Sequence, residues 1–392
     1  MTNHLFDSER SSRRQPPQGI PVEVDEVRIR EHVPLLEPGE RVRTIQLDCR
    51  IEAGGGRERA EIDGGHLSQA TTGLTFVAYA RQVLEEITRA DIEAAAHRIG
   101  SFVRRTPTLD LGHALGGEYR LTLKLDSMQP TGSFKVRGAF SDLTKRDVPE
   151  SGVVAASGGN FGLAVAFAAG ALGHVATVFV PGSSPEEKVG RIATLGADVR
   201  VVPGYYPDAL AASRAWARES GAHEIHAYDQ PDVVAGQGTC GMEIIEQVPG
   251  PASILVAVGG GGLIGGIASW VRDDATVIGV ESEGCPALHA AREAGGPVDV
   301  AVSGIAASAL GASRLGDHAW RTNEWIDQSV LVSDQDIVRA QTWLWETCRV
   351  LAEPAACAPI AALASKAYLP APGEAVVAVI SGANTGGLEP TG

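Results

Sequence analysis

The sequence predicts an α/β fold in which mostly parallel strands are covered by helices on both faces. Short apolar runs rich in β-branched residues, such as SILVAV at 253–258, alternate with helical segments, and such runs are typical of strands buried on both faces. The chain also has 47 glycines but only 5% aromatic residues, which indicates many tight turns between strands and helices. With 392 residues, 44% of them hydrophobic, it can bury a large core and form about two domains.

The elements can be placed in order along the chain. Thr88 has the side chain of an N-cap and Asp91 stands at the third helical position, which predicts a helix through Ile99. Strands are predicted at 121–125, 152–156, 175–180, 197–202, 253–258, 277–281 and 375–380. Helices are predicted at 163–172, at 209–219 and after the glycines at 259–262. This alternation of strand and helix predicts crossover connections and therefore parallel sheets.

Residues 1–80 do not follow this pattern. They contain charge clusters, the QPP turn at 15–17 and a glycine run at 54–56, with little sustained periodicity. The segment 42–51 has the composition of a strand, but no neighbouring run would complete a sheet. We therefore predict a disordered N-terminal extension, with a small accessory element as the alternative.

Charge and composition exclude several classes of partner. The net charge of −15 and the pI near 5.1 argue against nucleic acid, which binds a basic face. The five cysteines show neither a CxxC pair nor metal-ligand spacing, so reduced thiols and no bound metal are expected. The sequence has no apolar run that would span a bilayer and no secretory h-region at the N-terminus. A cytoplasmic protein without membrane or nucleic-acid partners is predicted.

Three predicted strands end in glycine-rich turns that open a helix: SGGN at 157–160, GGGG at 259–262 and SGAN at 381–384. The first turn of a helix has unpaired N–H groups and a positive dipole end, so each turn is a candidate anion site. In open α/β sheets such sites gather beyond the carboxyl ends of the strands. The set suits one ligand that carries a phosphate and another that carries a carboxylate.

The tetraglycine turn also permits a different function. Gly260, Gly262 and Gly265 satisfy G-x-G-x-x-G, and Glu281 ends the next strand, where a ribose-binding acid would lie. These residues alone leave open an NAD-dependent dehydrogenase and a purely structural turn.

Lys135 stands between Phe134 and Val136, directly after the turn Pro130-Thr131-Gly132. A lysine in an apolar setting loses its charge more easily and becomes an amine nucleophile toward aldehydes. The alternative is a surface lysine that begins a helix.

The segment KLDSMQPTGSFKVRGA at 124–139 resembles the lysine motif of the fold-type II pyridoxal 5′-phosphate (PLP) enzymes, in the branch of threonine/serine dehydratases and serine racemases. The resemblance covers residues 88–387, with further motifs in family order at 105–109, 157–166, 180–199, 235–239, 256–266, 277–281 and 381–387. It implies a tryptophan synthase β-like fold of two three-layer αβα domains and a homodimer. A large PLP-binding domain would comprise 81–150 plus 237–392, and a small mobile domain of 151–236 would bind the substrate carboxylate.

The resemblance also implies roles for individual residues. Lys135 is expected to carry PLP as a Schiff base and to remove the substrate α-proton. The expected cofactor contacts are Phe134 near the ring, Asn160 at the 3′-oxygen, Gly259, Gly260, Gly261 and Gly262 at the phosphate, and Ser381 at the pyridine nitrogen. The expected substrate contacts are Ser157, Gly158, Gly159, Asn160 and Phe161.

The implied activity is that of a PLP-dependent threonine/serine ammonia-lyase. A hydroxyl such as that of Ser381 at the pyridine nitrogen makes the ring a weaker electron sink than a carboxylate would. This favours α,β-elimination of a β-hydroxy amino acid to a 2-oxo acid and ammonia. The alternatives are a hydroxyaspartate dehydratase, a serine racemase and an inactive homologue with a binding role.

Several positions depart from the family pattern. Gly158 replaces the serine of the racemases, which weighs against racemisation, and Phe161 replaces the usual histidine of the dehydratases. Glu281 matches a cation ligand of some relatives, but its expected surroundings are a salt bridge or solvent. Glu353 matches a glutamate near the cofactor, with a helix-terminal acid as the alternative. Because the sequence ends at Gly392, a C-terminal regulatory domain is not expected.

Overall fold

A computed structural model describes residues 86–385 throughout and three strands before them. These strands, β1 (Val24–His32), β2 (Thr44–Ile51) and β3 (Arg59–Ile62), form an antiparallel sheet with β2 in the centre. The prediction that residues 42–51 have no strand to pair with is therefore wrong. Charged residues alternate with Val27 and Ile29 in β1, so this strand lacks the continuous apolar run that marks a buried strand. Otherwise, the predicted disorder of residues 1–80 lies outside the described residues.

The sheet of β1 to β3 belongs to a unit of residues Met1–Tyr79, and Ala80–Gly392 is the second unit. The strands of the second unit are β4 (Thr108–His113), β5 (Arg120–Lys124), β6 (Val153–Ala156), β7 (Ala176–Pro181), β8 (Asp198–Val202), β9 (His223–Glu224), β10 (Ser253–Ala257), β11 (Thr276–Ser282), β12 (Gln328–Val332) and β13 (Ala375–Val379). They form a six-stranded sheet in the order β12-β11-β10-β13-β5-β4 and a four-stranded sheet in the order β8-β7-β6-β9. All neighbours are parallel except β4 and β5. The predicted α/β class with mostly parallel sheets is confirmed.

The helices of this unit are α1 (Arg89–Ile99), α2 (Lys135–Leu143), α3 (Asn160–Ala171), α4 (Glu186–Thr194), α5 (Tyr206–Ser220), α6 (Pro231–Gln247), α7 (Gly262–Val271), α8 (Ala287–Ala294), α9 (Ala307–Leu310), α10 (Asp317–Arg321), α11 (Asp334–Trp343) and α12 (Ala358–Ala364). Thr88 caps α1 as predicted, with a reciprocal bond to Asp91. None of the helices in the described part of the chain combines the length and apolar composition that a membrane crossing requires.

The packing of the core explains why the sequences of the strands are continuous apolar runs. In β10, Ile254 and Val256 pack into one hydrophobic cluster, whereas Leu255 and Ala257 pack into another. Successive side chains of a strand point to opposite faces, so both faces of the larger sheet are buried. All strands of the smaller sheet lie within residues 153–224, inside the small domain expected at 151–236. The domain boundaries themselves remain a prediction.

Candidate active site

A cavity of about 630 Å³ lies where the strands of both sheets end. Its wall is formed by segments that follow every strand from β5 to β13. The predicted site residues all line this one cavity: Phe134, Lys135, Ser157, Gly158, Gly159, Asn160, Phe161, Gly259, Gly260, Gly261, Gly262 and Ser381. Parallel strands bring these segments together because their carboxyl ends meet at one edge of each sheet. Their individual roles remain predictions.

Lys135 is the first residue of α2 and is partly buried against the cavity. Its Nζ donates a hydrogen bond to the Ala227 carbonyl oxygen at 2.7 Å. The same Nζ lies 5.1 Å from the centre of the Phe134 ring and 5.6 Å from that of Phe161. Desolvation lowers the pKa of Lys135 to about 8, although the negative charge of Glu353 acts in the opposite direction. The alternative of a surface lysine is therefore wrong.

The turn before Lys135 is joined directly to the turn that carries Ser381. Phe134 N–H donates to the Ser381 carbonyl at 3.0 Å, and Ala383 N–H donates to the Gly132 carbonyl at 2.9 Å. Gly132 has a φ of +74°, and a Cβ there would lie 2.6 Å from Asn384 Oδ1. A larger residue would therefore be strained and would also clash at this crossing.

The tetraglycine turn is packed tightly from the cavity side. A Cβ on Gly260 would lie 2.4 Å from the Tyr228 ring, and one on Gly262 would lie 2.9 Å from the Tyr228 carbonyl oxygen. Gly261 precedes α7 with a φ of +88°. Within residues 86–385, no acceptor receives the amides of Gly259, Gly260 or Gly261. These amides and the N-terminus of α7 form a site that favours an anion.

Asn160 links the SGGN turn to a buried carboxylate. Its Nδ2 donates to Glu353 Oε1 at 2.7 Å, and its Oδ1 accepts from Asn384 Nδ2 at 2.8 Å. Glu353 is only 5% exposed. Burial raises the pKa of Glu353 to about 7, against the opposing effects of the Asn160 hydrogen bond and of Lys188 and Lys135. Glu353 therefore faces the cavity and is not a simple helix-terminal acid, since its side chain makes no capping hydrogen bond.

Glu281 lies away from the cavity lining. Its Oε1 accepts the Leu288 amide at 2.7 Å, its Oε2 accepts the His289 amide at 2.8 Å, and the Ser329 hydroxyl donates to Oε2 at 3.2 Å. The expected salt bridge or solvent exposure is wrong, because this buried carboxylate caps α8. Burial raises the pKa of Glu281 to about 7. No group of three metal-ligating side chains occurs in the described part of the chain.

Several residues of the cavity wall escaped the sequence analysis. They are Ala227 and Tyr228 after β9, Lys188 on α4, and the segment 307–313, which begins with α9. Because β9 has only two residues, it has no apolar run from which a strand, and a turn into the cavity after it, could be predicted. For this turn, the signal in the sequence was its position at 226–231, just before the motif AGQGT at 235–239. Lys188 lies within the family motif at 180–199.

Comparisons with known proteins agree with this arrangement. Residues 99–382 match the family described as pyridoxal-phosphate dependent enzyme. L-threonine ammonia-lyase of Geobacter sulfurreducens is 36% identical over 302 residues, which are 75% of this chain and 74% of that protein. The enzyme of the same name from Thermotoga maritima is 34% identical over 307 residues, 76% of each chain.

Solved structures give the same result. Maize serine racemase superposes with a TM-score of 0.73 at 28% identity, over 77% of this chain and 94% of that one. The T.th. threonine deaminase superposes with a TM-score of 0.72 at 32% identity, over 77% of this chain and 100% of that one.

The fold and the buried lysine at the cavity define a PLP-dependent enzyme of fold type II, and the chain belongs to that family. Within it, the chain falls in the threonine/serine dehydratase branch. Its cofactor is therefore PLP, and the dinucleotide interpretation of the tetraglycine turn is not retained.

Proposed function

We propose that this protein is a PLP-dependent threonine/serine ammonia-lyase, which converts a β-hydroxy amino acid to a 2-oxo acid and ammonia. One observation carries the proposal: the Lys135 amine, with a pKa of about 8, lies in a cavity flanked by two anion-binding glycine turns. The naming of the relatives as L-threonine ammonia-lyases supports the same reaction.

The residues of the cavity fit PLP. The free amides of Gly259 to Gly261 suit its phosphate. Asn160 Nδ2 has a second hydrogen that is available to the 3′-oxygen, because the first is donated to Glu353. Ser381 would meet the pyridine nitrogen, and Phe134 would pack near the ring. When bound, PLP withdraws electrons from the substrate α-carbon.

Lys135 is suited to move the α-proton. Because its pKa is lowered to about 8, a substantial fraction of the amine is neutral near pH 7.5, whereas a solvated lysine is almost fully charged. One N–H of Lys135 is directed to the Ala227 carbonyl, which fixes the amine while its lone pair stays available to accept a proton.

The SGGN turn is suited to the substrate carboxylate. It leads into α3, a helix of 12 residues, with Gly159 at the N-cap. The amides of Gly158, Asn160 and Phe161 at this helix N-terminus would bind the carboxylate. The Gly159 amide donates to the Ser157 hydroxyl at 3.2 Å and would support the turn.

The charges of the cavity favour a neutral β-substituent. Among the described lining residues the charged side chains are Lys135, Lys188 and Glu353. Lys135 is assigned to the reaction, and the Lys188 charge acts on Glu353. No further cation is left for a second carboxylate, so L-serine and L-threonine are better substrates than 3-hydroxyaspartate.

A second candidate, serine racemisation, is favoured by one observation. Gly158 has no proton to donate, but a Cβ at this position would lie 2.1 Å from Ser184 Oγ. The Ser184 hydroxyl therefore lies close to the position that the side chain of a serine at 158 would occupy. If Ser184 acts there, D-serine forms beside pyruvate, and Ser184→Ala suppresses D-serine without an equal loss of pyruvate.

The test of the principal proposal uses the full chain loaded with PLP. We expect an absorption band at roughly 410 nm for the bound cofactor, with 2-oxobutanoate from L-threonine, pyruvate from L-serine and equimolar ammonia. A loaded protein that releases no 2-oxo acid from L-threonine, L-serine or 3-hydroxyaspartate would instead be the inactive homologue. A higher kcat/KM for 3-hydroxyaspartate would identify the hydroxyaspartate dehydratase. The homodimer and the cytoplasmic location stay predictions that gel filtration and fractionation would examine.

A further inference from the structure

A short turn at residues 226–229 touches both halves of the cofactor cavity. On one side, the Ala227 carbonyl accepts the hydrogen bond from Lys135 Nζ at 2.7 Å. On the other side, Tyr228 covers the tetraglycine turn, with its ring against Gly260 and its backbone against Gly262. The position of this turn therefore sets where the lysine lies relative to the glycine amides.

A second set of contacts connects the same turn to the glycines. Asp229 Oδ1 accepts the His318 amide at 3.0 Å, in the first turn of α10. Just before α10, Gly316 N–H donates to the Gly260 carbonyl at 3.0 Å. A displacement of Asp229 would therefore be transmitted to Gly260 through the start of α10, independently of the Tyr228 ring.

His226 holds the turn from within. Its Nδ1 accepts the amides of Asp229 at 3.1 Å and Tyr228 at 3.4 Å. Its ring also packs edge-on against the Tyr228 ring, with centroids 4.7 Å apart at 76°. Gln230 braces the other side of the turn, because its Oε1 accepts His226 N–H at 2.8 Å. Since Nδ1 is an acceptor here, the imidazole must be neutral with its proton on Nε2.

We propose that His226 is a positioning residue for the cofactor site, whose neutral ring fixes the turn that aligns Lys135 with the tetraglycine turn. The inference rests on the proposed roles of these two features. Protonation of Nδ1 replaces the acceptor by a donor that opposes two amide donors, and this releases the turn.

The charges around His226 decide when this happens. Burial lowers the pKa of His226 below its ordinary value, the carboxylates of Asp229 and Glu224 act to raise it, and the cations Arg214 and Lys135 act to lower it. The ring is therefore neutral at pH 7, and the turn loses its acceptor only as the pH falls through this lowered pKa. The contribution of His226 to PLP affinity is then retained at neutral pH and lost in acid.

The test measures the dissociation constant of PLP for the full chain, by absorbance, in three variants. His226→Phe keeps an aromatic ring but removes the acceptor, and we expect PLP to bind at least about tenfold more weakly, or about 1.4 kcal/mol. In His226→Asn, Oδ1 can accept amides two and three residues ahead, so affinity stays within about threefold of wild type. His97→Phe, at an exposed position on α1, is the matched control and leaves the constant unchanged.

A pH series from 5 to 8 separates positioning from general stability. Both proteins lose affinity as the Lys135 amine is protonated below its pKa of about 8. Wild type shows a further loss at the acid end that His226→Asn lacks, because the amide side chain of this variant cannot be protonated. Equal PLP affinity of His226→Phe and wild type would overturn the inference. The inference would also be overturned if the Phe and Asn variants lost PLP affinity equally and if each loss followed a drop in the Tm of the apo protein. A wild-type chain with no affinity for PLP would overturn the proposed function itself, and the inference with it.

Discussion

Two lysines only eleven positions apart in the chain illustrate how burial can have opposite outcomes. Lys124, at the end of β5, is fully buried, and its Nζ donates to the Thr106 carbonyl at 2.8 Å, to Gln247 Oε1 at 2.8 Å and to Glu243 Oε2. Lys135 has one acceptor, Ala227, and otherwise faces two aromatic rings. All three protons of Lys124 are thus satisfied, whereas most of the ammonium of Lys135 is not.

The surroundings of Lys124 also balance its charge. Arg137 and Lys124 are paired with Asp126 and Glu243, so this buried cluster contains two cations and two anions. Near Lys135 the compensating carboxylate is Glu353, whose own pKa is raised to about 7. Burial alone therefore does not make a lysine reactive. Burial without sufficient compensation destabilises the ammonium and yields a neutral amine.

The largest expected effect is the loss of chemistry at Lys135. Lys135→Ala removes the amine that we propose attaches the cofactor and moves the α-proton, so we expect kcat/KM for L-threonine to fall on the order of 10³-fold or more. The band near roughly 410 nm disappears as well. Because Lys135 has a single hydrogen-bond acceptor, its removal leaves little unpaired, and the apo-protein Tm stays close to that of wild type. A drop in Tm comparable to that of a Lys124 variant would contradict the view that Lys124 stabilises the fold whereas Lys135 does not.

Lys124→Met should show the reverse behaviour. It leaves a buried, uncompensated negative charge beside Arg137, and we expect the free energy of unfolding to fall by about 3 kcal/mol. Urea denaturation of the apo protein measures this. The control is Lys145→Met, which removes a half-exposed partner of Asp232 and should cost less than about 1 kcal/mol. Equal costs for the two variants would show that the Lys124 cluster is not a stabilising network.

The two lysines differ also in how far the sequence predicts them. The apolar flanks of Lys135 and three glycine turns at strand ends indicated its cavity, because parallel strands bring their carboxyl ends together. The pairing of Lys124 with Glu243 joins positions 119 apart, and no local pattern encodes it. Glu281 was misjudged for the same reason, since its role depends on where α8 begins in space. Local periodicity predicts elements, whereas side-chain partners depend on tertiary packing.

The pH dependence of cofactor capture sharpens the comparison further. Only the neutral amine of Lys135 attacks an aldehyde, so the association rate of PLP with apo protein should rise through a midpoint of about 8. Glu353 raises the pKa of Lys135, so Glu353→Gln should move the midpoint to lower pH. Stopped-flow absorbance gives the rate.

Glu93→Gln, at an exposed position on α1, removes the same charge far from the cavity and should leave the midpoint in place. A midpoint near the ordinary lysine value of roughly 10.4 would show that Lys135 is solvated like a surface lysine.

The smallest expected effect comes from giving Lys135 a more polar neighbour, so that its ammonium is slightly better stabilised, as that of Lys124 is. Phe161→His puts a polar ring where an aromatic face now lies 5.6 Å from Nζ. Near pH 8 this histidine is neutral and eases the desolvation that dominates at Lys135, so the midpoint of cofactor capture should rise above its wild-type value of about 8. Phe161→Leu keeps the wall apolar but loses the ring face that attracts a cation, so its midpoint should fall. The midpoint must therefore shift in opposite directions in the two variants. A shift in the same direction would mean that cavity shape, rather than solvation of the ammonium, controls the reactivity of Lys135.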